Sequence, residues 1–188
     1  MANNKYTFLF LIVIALFSSC TIKENIQRDI LLETGAMLFD IPVTTDLTDT
    51  LTLATLSSTA DLNTIITENT KQFTASDVKS FRITSFQVEI ENSDTTQVVN
   101  QINTFRAFEY VKVQLKKSND TLLDIGRINN SAMTSGSIIQ IPITAIQDLK
   151  DEISTGKFTY IITGVARTPT TKIMNARAVA QYKLTLGI

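Results

Sequence analysis

The sequence predicts a mainly β protein, an antiparallel, immunoglobulin-like β-sandwich of about seven or eight strands with two short helices. Three observations carry this expectation. Several segments alternate apolar and polar residues: Val111, Val113 and Leu115 against Lys112, Gln114 and Lys116, then Ala178, Ala180, Tyr182, Leu184 and Leu186 against Val179, Gln181, Lys183 and Thr185. Turn residues such as Ser118-Asn119-Asp120 and Thr168-Pro169-Thr170-Thr171 punctuate these segments at regular intervals. Strand patterns also outnumber helical ones too heavily for repeated βαβ units. The two faces of each strand differ in polarity, so one packs and the other meets water. A β-barrel, open or closed, is the second architecture. No internal repeat and no second domain is visible.

The chain begins with Lys5 in a short polar stretch, followed by the apolar run Tyr6–Phe17 and then Ser18, Ser19 and Cys20. A charged start, an apolar middle and a small-residue cleavage zone make a secretion signal. The run is shorter than the about 20 apolar residues that span a bilayer. Leu16-Phe17-Ser18-Ser19-Cys20 resembles the lipobox of bacterial lipoproteins, departing from it at Phe17, where leucine is commoner. The resemblance implies cleavage between Ser19 and Cys20, with lipid carried on Cys20. The chain has no other cysteine, so acylation also removes an otherwise unpaired thiol. Acyl chains anchor without spanning, each buried methylene contributing roughly 0.8 kcal/mol. Enteric-type lipoproteins with aspartate after the cysteine stay at the inner membrane. Thr21 stands there instead, which implies the outer membrane. Glu24, beside Lys23, is the one nearby acid where surface-exported lipoproteins carry acidic clusters.

Removing residues 1–19 takes away Lys5 and no acid, so the formal charge moves from 17 − 18 = −1 to 16 − 18 = −2 over 188 − 19 = 169 residues. That length suits one domain with a real core, expected over 36–188 behind a lipid-anchored tether at 20–35. Near-neutral charge argues against nucleic acid as a partner. The absence of histidine excludes Ser-His-Asp and Cys-His nucleophiles and the common zinc sites. With no tryptophan, any sugar-stacking platform must use tyrosine or phenylalanine. No motif calls for a cofactor.

In order along the mature chain, Thr21–Thr34 reads as a polar tether, or one ending in a short helix that Gly35 stops. Ala36–Thr45 reads as a strand, with Pro42 marking an edge. Asp49–Leu56 is a second strand, with Leu51 and Leu53 opposite Thr50 and Thr52. Asp61 caps a short helix whose apolar face is Leu62, Ile65 and Ile66. Val78–Glu91 is a long strand. Phe81 and Ile83 are out of phase with Phe86, Val88 and Ile90, which predicts a bulge. Phe105–Lys117 and Thr121–Ile128 form a hairpin, and Ser137–Ile143 is the next strand. Thr144-Ala145-Ile146-Gln147 fits a capping box opening a helix with Ile146, Leu149 and Ile153 on one face and Gly156 at its end. Lys157–Arg167 and Lys172–Leu186 close the chain as a long hairpin.

The order of lipobox, polar tether, helix Asp61–Asn69, turn and strand Asp77–Ile90 resembles the small β-sandwich lipoproteins of Bacteroidota. That broad group implies an extracytoplasmic module and lends no catalytic residue. Secreted proteins of this type can be O-glycosylated at Asp-Ser/Thr followed by an apolar residue or Thr. Asp49-Thr50-Leu51, Asp94-Thr95-Thr96 and Asp120-Thr121-Leu122 fit, making Thr50, Thr95 and Thr121 candidates.

Among chemistry-bearing residues, Glu89 and Glu91 share one strand face and are the carboxylate pair a glycoside hydrolase would need. The simpler reading is a solvated face. Asp148, Asp151 and Glu152 read as the wet side of their helix, and Thr48, Thr50 and Thr52 as the outer face of one strand. Asp46-Leu47-Thr48-Asp49 offers oxygen ligands without the glycine and closing glutamate of a calcium loop. The expectation is a lipid-anchored, non-enzymatic module at the outer membrane or cell surface, binding a protein or a glycan. A periplasm-facing assembly lipoprotein and, less favoured, a carboxylate-based hydrolase are the alternatives.

Overall fold

The structure, a computed structural model, describes residues 26–93, 102–133, 136–144, 148–153 and 156–188. The strands are β1 Gln27–Glu33, β2 Met37–Ile41, β3 Leu51–Thr59, β4 Val78–Ile90, β5 Phe108–Lys116, β6 Leu122–Asn129, β7 Ile138–Ile141, β8 Lys157–Ala166 and β9 Met174–Gly187. Two helices, α1 Leu62–Asn69 and α2 Lys150–Ile153, and three 3₁₀ turns complete the described elements.

Two antiparallel sheets face each other and do not close into a barrel. One has the order β1-β9-β4-β7, with β2 also pairing β9, and the other has the order β3-β8-β5-β6. The chain changes sheet at every connection from β2 to β9 except the β5–β6 hairpin. With β1 and β2 counted as one interrupted edge strand, this is the eight-stranded jelly-roll arrangement. The expected sandwich is therefore present, with a strand order that differs from the immunoglobulin arrangement.

The expected bulge in β4 falls between Ile83 and Ser85, and it turns both Phe81 and Ile83 and the later Phe86, Val88 and Ile90 inward. Those residues pack with Phe158, Tyr160, Tyr182, Leu184 and Leu186 from the neighbouring strands to form the core. Asp61 caps α1 as expected, its carboxylate accepting from the N–H groups of Asn63 at 3.0 Å and Thr64 at 3.3 Å.

Four expectations are corrected. Residues Gln27–Glu33 are not tether or helix but an edge strand registered on Glu33↔Gln181 through Gln27↔Gly187. Period-two burial is weak there because the strand is open to solvent on most of its surface; Ile30 alone in it is fully buried. β8 and β9 do not form a hairpin: they lie in opposite sheets, and Thr168–Thr171 carries the chain across the sandwich. The helix expected from Thr144 is only Lys150–Ile153 among the described residues, and the rest of its capping box, Ala145–Gln147, lies outside them. Thr144 instead bonds Ile125, its N–H at 2.9 Å and its hydroxyl at 3.2 Å from the carbonyl oxygen. Asp148 is not on a wet face: its carboxylate accepts from the N–H groups of Phe81 at 2.9 Å and Lys150 at 3.0 Å. With Leu149 N–H donating to the Phe81 carbonyl at 2.7 Å, this segment covers the edge of β4 beyond the reach of β7.

The connections meet at two ends. At one, here the loop end, Thr44 bonds Thr170, Asn103 bonds Thr171 and Arg167 bonds Asn130. At the other, the helix end, Ala60 N–H donates to Gly156 and Ser118 N–H to Glu152. The N-terminal strand starts at the helix end, where Ile188 N–H lies 3.3 Å from the Ile26 carbonyl oxygen.

Candidate functional site

The loop end carries the most organised polar site. Its base is the start of β5, where the pairing with β8 shifts between Phe108 and Tyr110. The bulge leaves both Glu109 and Tyr110 out of the core while Phe108 and Val111 stay fully buried. Tyr110 pairs across the hairpin with Asn129, which places Arg127 diagonally next to its ring. The Arg127 guanidinium lies 3.8 Å over that ring, and its Nε donates to Asn129 Oδ1 at 2.9 Å. The Tyr110 hydroxyl is in turn 3.0 Å from that of Thr50.

A second guanidinium comes from the chain leaving β8. Arg167 N–H is tied to the Ala107 carbonyl at 2.8 Å, and its Nη1 donates to Asn130 Oδ1 at 2.8 Å. Asn130 cannot turn away, because its Nδ2 donates to the carbonyls of Arg106 at 2.9 Å and Phe108 at 2.8 Å. Together Glu109, Arg127, Asn129, Asn130, Ser131 and Arg167 line a concavity of about 490 Å³. Asn103 braces the neighbouring loops, its buried Oδ1 accepting from Thr171 N–H at 2.9 Å and Lys172 N–H at 3.3 Å.

A smaller, more apolar slit of about 250 Å³ opens between the sheets where β1 ends. Leu32, Thr34, Thr59 and Ile65 are among its walls, and Phe81, Phe158 and Tyr182 lie at its floor. Phe81 and Tyr182 stack at 4.6 Å between centroids. Deeper in, the Tyr160 and Tyr182 hydroxyls bond each other across the two sheets. Burial pushes both phenols far above their ordinary range, so both stay protonated at neutral pH. Beyond α1, a broad groove of about 870 Å³ is bordered by Asp61, Lys150, Asp151 and Lys157.

The residues singled out from sequence are scattered. Ser19, Cys20 and Thr95 lie outside the described residues. Thr50 is exposed at the loop end, against Tyr110, while Thr121 is exposed in the β5–β6 turn at the helix end, its hydroxyl donating to Asn119 at 2.6 Å. Glu89 and Glu91 face outward with Arg177 between them, 2.7 Å and 4.0 Å from their oxygens. The hydrogen bond and charge of Glu89 raise the pKa of Arg177, and the trio forms an ion-pair cluster on the outer face of the sheet. Asp46 closes an Asx turn, accepting from Thr48 N–H, the Thr48 hydroxyl and Asp49 N–H. Its pKa is lowered by those bonds, with the Thr48 N–H first. Among the described residues no group of three or more Asp, Glu, Cys or His is arranged to hold a metal ion, and no helix is long and apolar enough to cross a membrane.

Arg127, Arg167 and Glu109 were not legible as a site. They are separated in sequence, and the one available signal is the Arg127-Ile128-Asn129-Asn130 run at the end of β6, in which Ile128 is buried and the other three residues are polar.

No family model and no curated protein matches the chain. Among solved structures, a chain of the Triatoma virus empty capsid is 13% identical, covers 90% of this chain and 94% of its own, and superposes with a TM-score of 0.35. A second Triatoma virus chain is 13% identical with a TM-score of 0.32, covering 89% of this chain and 67% of its own. Similarity at this level carries no argument about function.

Proposed function

We propose that the chain is a lipid-anchored, non-enzymatic binding module of the outer membrane or cell surface, of the kind resembled by small Bacteroidota β-sandwich lipoproteins. Lipid on Cys20 holds it to the membrane, and the loop end engages a glycan or protein ligand. Nucleic acid is not among its partners.

The observation that carries the reading is where the fold begins. Gln27 sits against Gly187 at the helix end. From Cys20 to Gln27 is 27 − 20 = 7 residues, which reach at most about 25 Å when fully extended. An anchor at Cys20 therefore keeps the helix end near the membrane. The loop end lies at the opposite end of β9, 14 residues or about 45 Å away. The arginine-lined concavity then faces away from the lipid.

Protease accessibility of the domain on intact cells tests this, with Cys20→Ala as the control for anchoring. Digestion without loss of envelope integrity is expected. Protection until the outer membrane is opened would replace the surface reading with the periplasm-facing assembly role.

A further inference from the structure

We propose that the Arg127–Arg167 concavity binds an acidic saccharide, recognising one uronate-type sugar carboxylate together with neighbouring hydroxyls. This rests on the binding-module reading and names the ligand class of that same site.

Elsewhere on the strands, Lys112 faces Asp124 at 2.8 Å, Lys183 faces Asp29 at 2.7 Å and Arg177 faces Glu89 at 2.7 Å. Arg127 and Arg167 have no carboxylate partner among the described residues, although Glu109 lines the same concavity. Both guanidiniums are held by neutral groups, the Tyr110 ring and Asn129 for one and Asn130 for the other. They are oriented without being neutralised. A planar fork held this way matches a carboxylate, and little ordering entropy remains to be lost on binding.

The lining decides the rest of the ligand. Protein interfaces are anchored by aromatic side chains and arginines set in a well-packed, fully desolvated core. Here all six lining side chains are polar or charged, and the Tyr110 ring is already covered by Arg127. Asn129, Asn130, Ser131 and Glu109 suit hydroxyl groups, with Glu109 as an acceptor. Glu109 also opposes a densely charged polyanion, since a second anionic group next to the first would meet its carboxylate. One carboxylate among many hydroxyls is the chemistry of a uronate in a glycan.

The test is calorimetric titration of the full-length protein in detergent with oligogalacturonate, with the same oligosaccharide as its methyl ester, and with inorganic phosphate. The ester keeps the hydroxyls and removes the charge. Binding of the free acid is expected, weakened roughly tenfold or more by esterification and by Arg127→Gln or Arg167→Gln, each with an unchanged melting temperature. Glu109→Gln is expected to gain binding to dextran sulfate. Equal binding of acid and ester, insensitivity to both arginine substitutions, or equal competition by phosphate would overturn the proposal. Failure to bind with the parent protein still in the membrane fraction would sink this inference alone. A parent protein found soluble would sink the anchor and leave the titration result standing.

Discussion

Replacing Tyr160 with phenylalanine removes one hydroxyl from a pair that bridges the two sheets inside the core. Tyr160 on β8 is fully buried and Tyr182 on β9 is 3% exposed. No buried side-chain polar atom among the described residues lacks a partner, so the pair is satisfied as it stands. In Tyr160→Phe the Tyr182 hydroxyl loses its partner in a site that water reaches poorly. A stranded buried hydroxyl costs about 1–3 kcal/mol, and Tyr182→Phe should cost a similar amount. In the double variant neither hydroxyl remains, and the ring contacts of Phe81, Phe86 and Phe158 with these positions are kept. The double change should therefore be nearly neutral, giving a coupling between the two positions equal to the sum of the two single losses, about 2–6 kcal/mol. Urea unfolding followed by circular dichroism, with m-values compared, measures all four corners of the cycle. Additive losses in the double variant would refute the reasoning, since they would mean that each hydroxyl has its own partner.

Other consequences are equally direct. With no histidine in the chain, the melting temperature should be flat between about pH 5.5 and 8.5. Asp29 and Asp124, held low by hydrogen bonds from Lys183 and Lys112, and Asp61 and Asp77, held low by Thr64 and Thr74, have depressed folded values. Their contributions are present above the unfolded value near about 4 and are lost as the pH falls through the folded values, so a decline confined to lower pH is expected in a melting series. Gly126→Ala should cost about 1–3 kcal/mol in chemical denaturation, because its new methyl carbon would sit 2.1 Å from the Pro142 carbonyl oxygen. Asp148→Ala should cost about 1–2 kcal/mol by the same assay, since it removes the acceptor of the Phe81 and Lys150 N–H groups, while Asp148→Asn should retain much of the stability.

Local features of the fold were legible where one interaction dominates. The β4 bulge follows from the phase change between Ile83 and Phe86, and the α1 cap from Asp61. The hairpin of β5 and β6 follows from a tight turn in which Asp120 takes a φ of 65°. What failed was non-local. Whether Thr168–Thr171 turns within a sheet or crosses between sheets depends on which strand β9 meets, and alternation looks the same either way. The edge position of β1 left too little burial to impose a pattern. Asp148 shows the same limit: its role is set by Phe81, which lies 67 positions earlier. The arginine site is assembled from β5, β6 and the β8–β9 crossing, and so became visible only with the jelly-roll order.

The central claim is that Cys20 is the lipid-bearing first residue of the mature chain. Mass analysis of the N-terminal peptide from protein purified out of the membrane tests it most directly. A peptide that starts at Cys20 and carries acyl chains is expected. A peptide that retains Ser19 and the residues before it, or one with an unmodified Cys20 thiol, would contradict it.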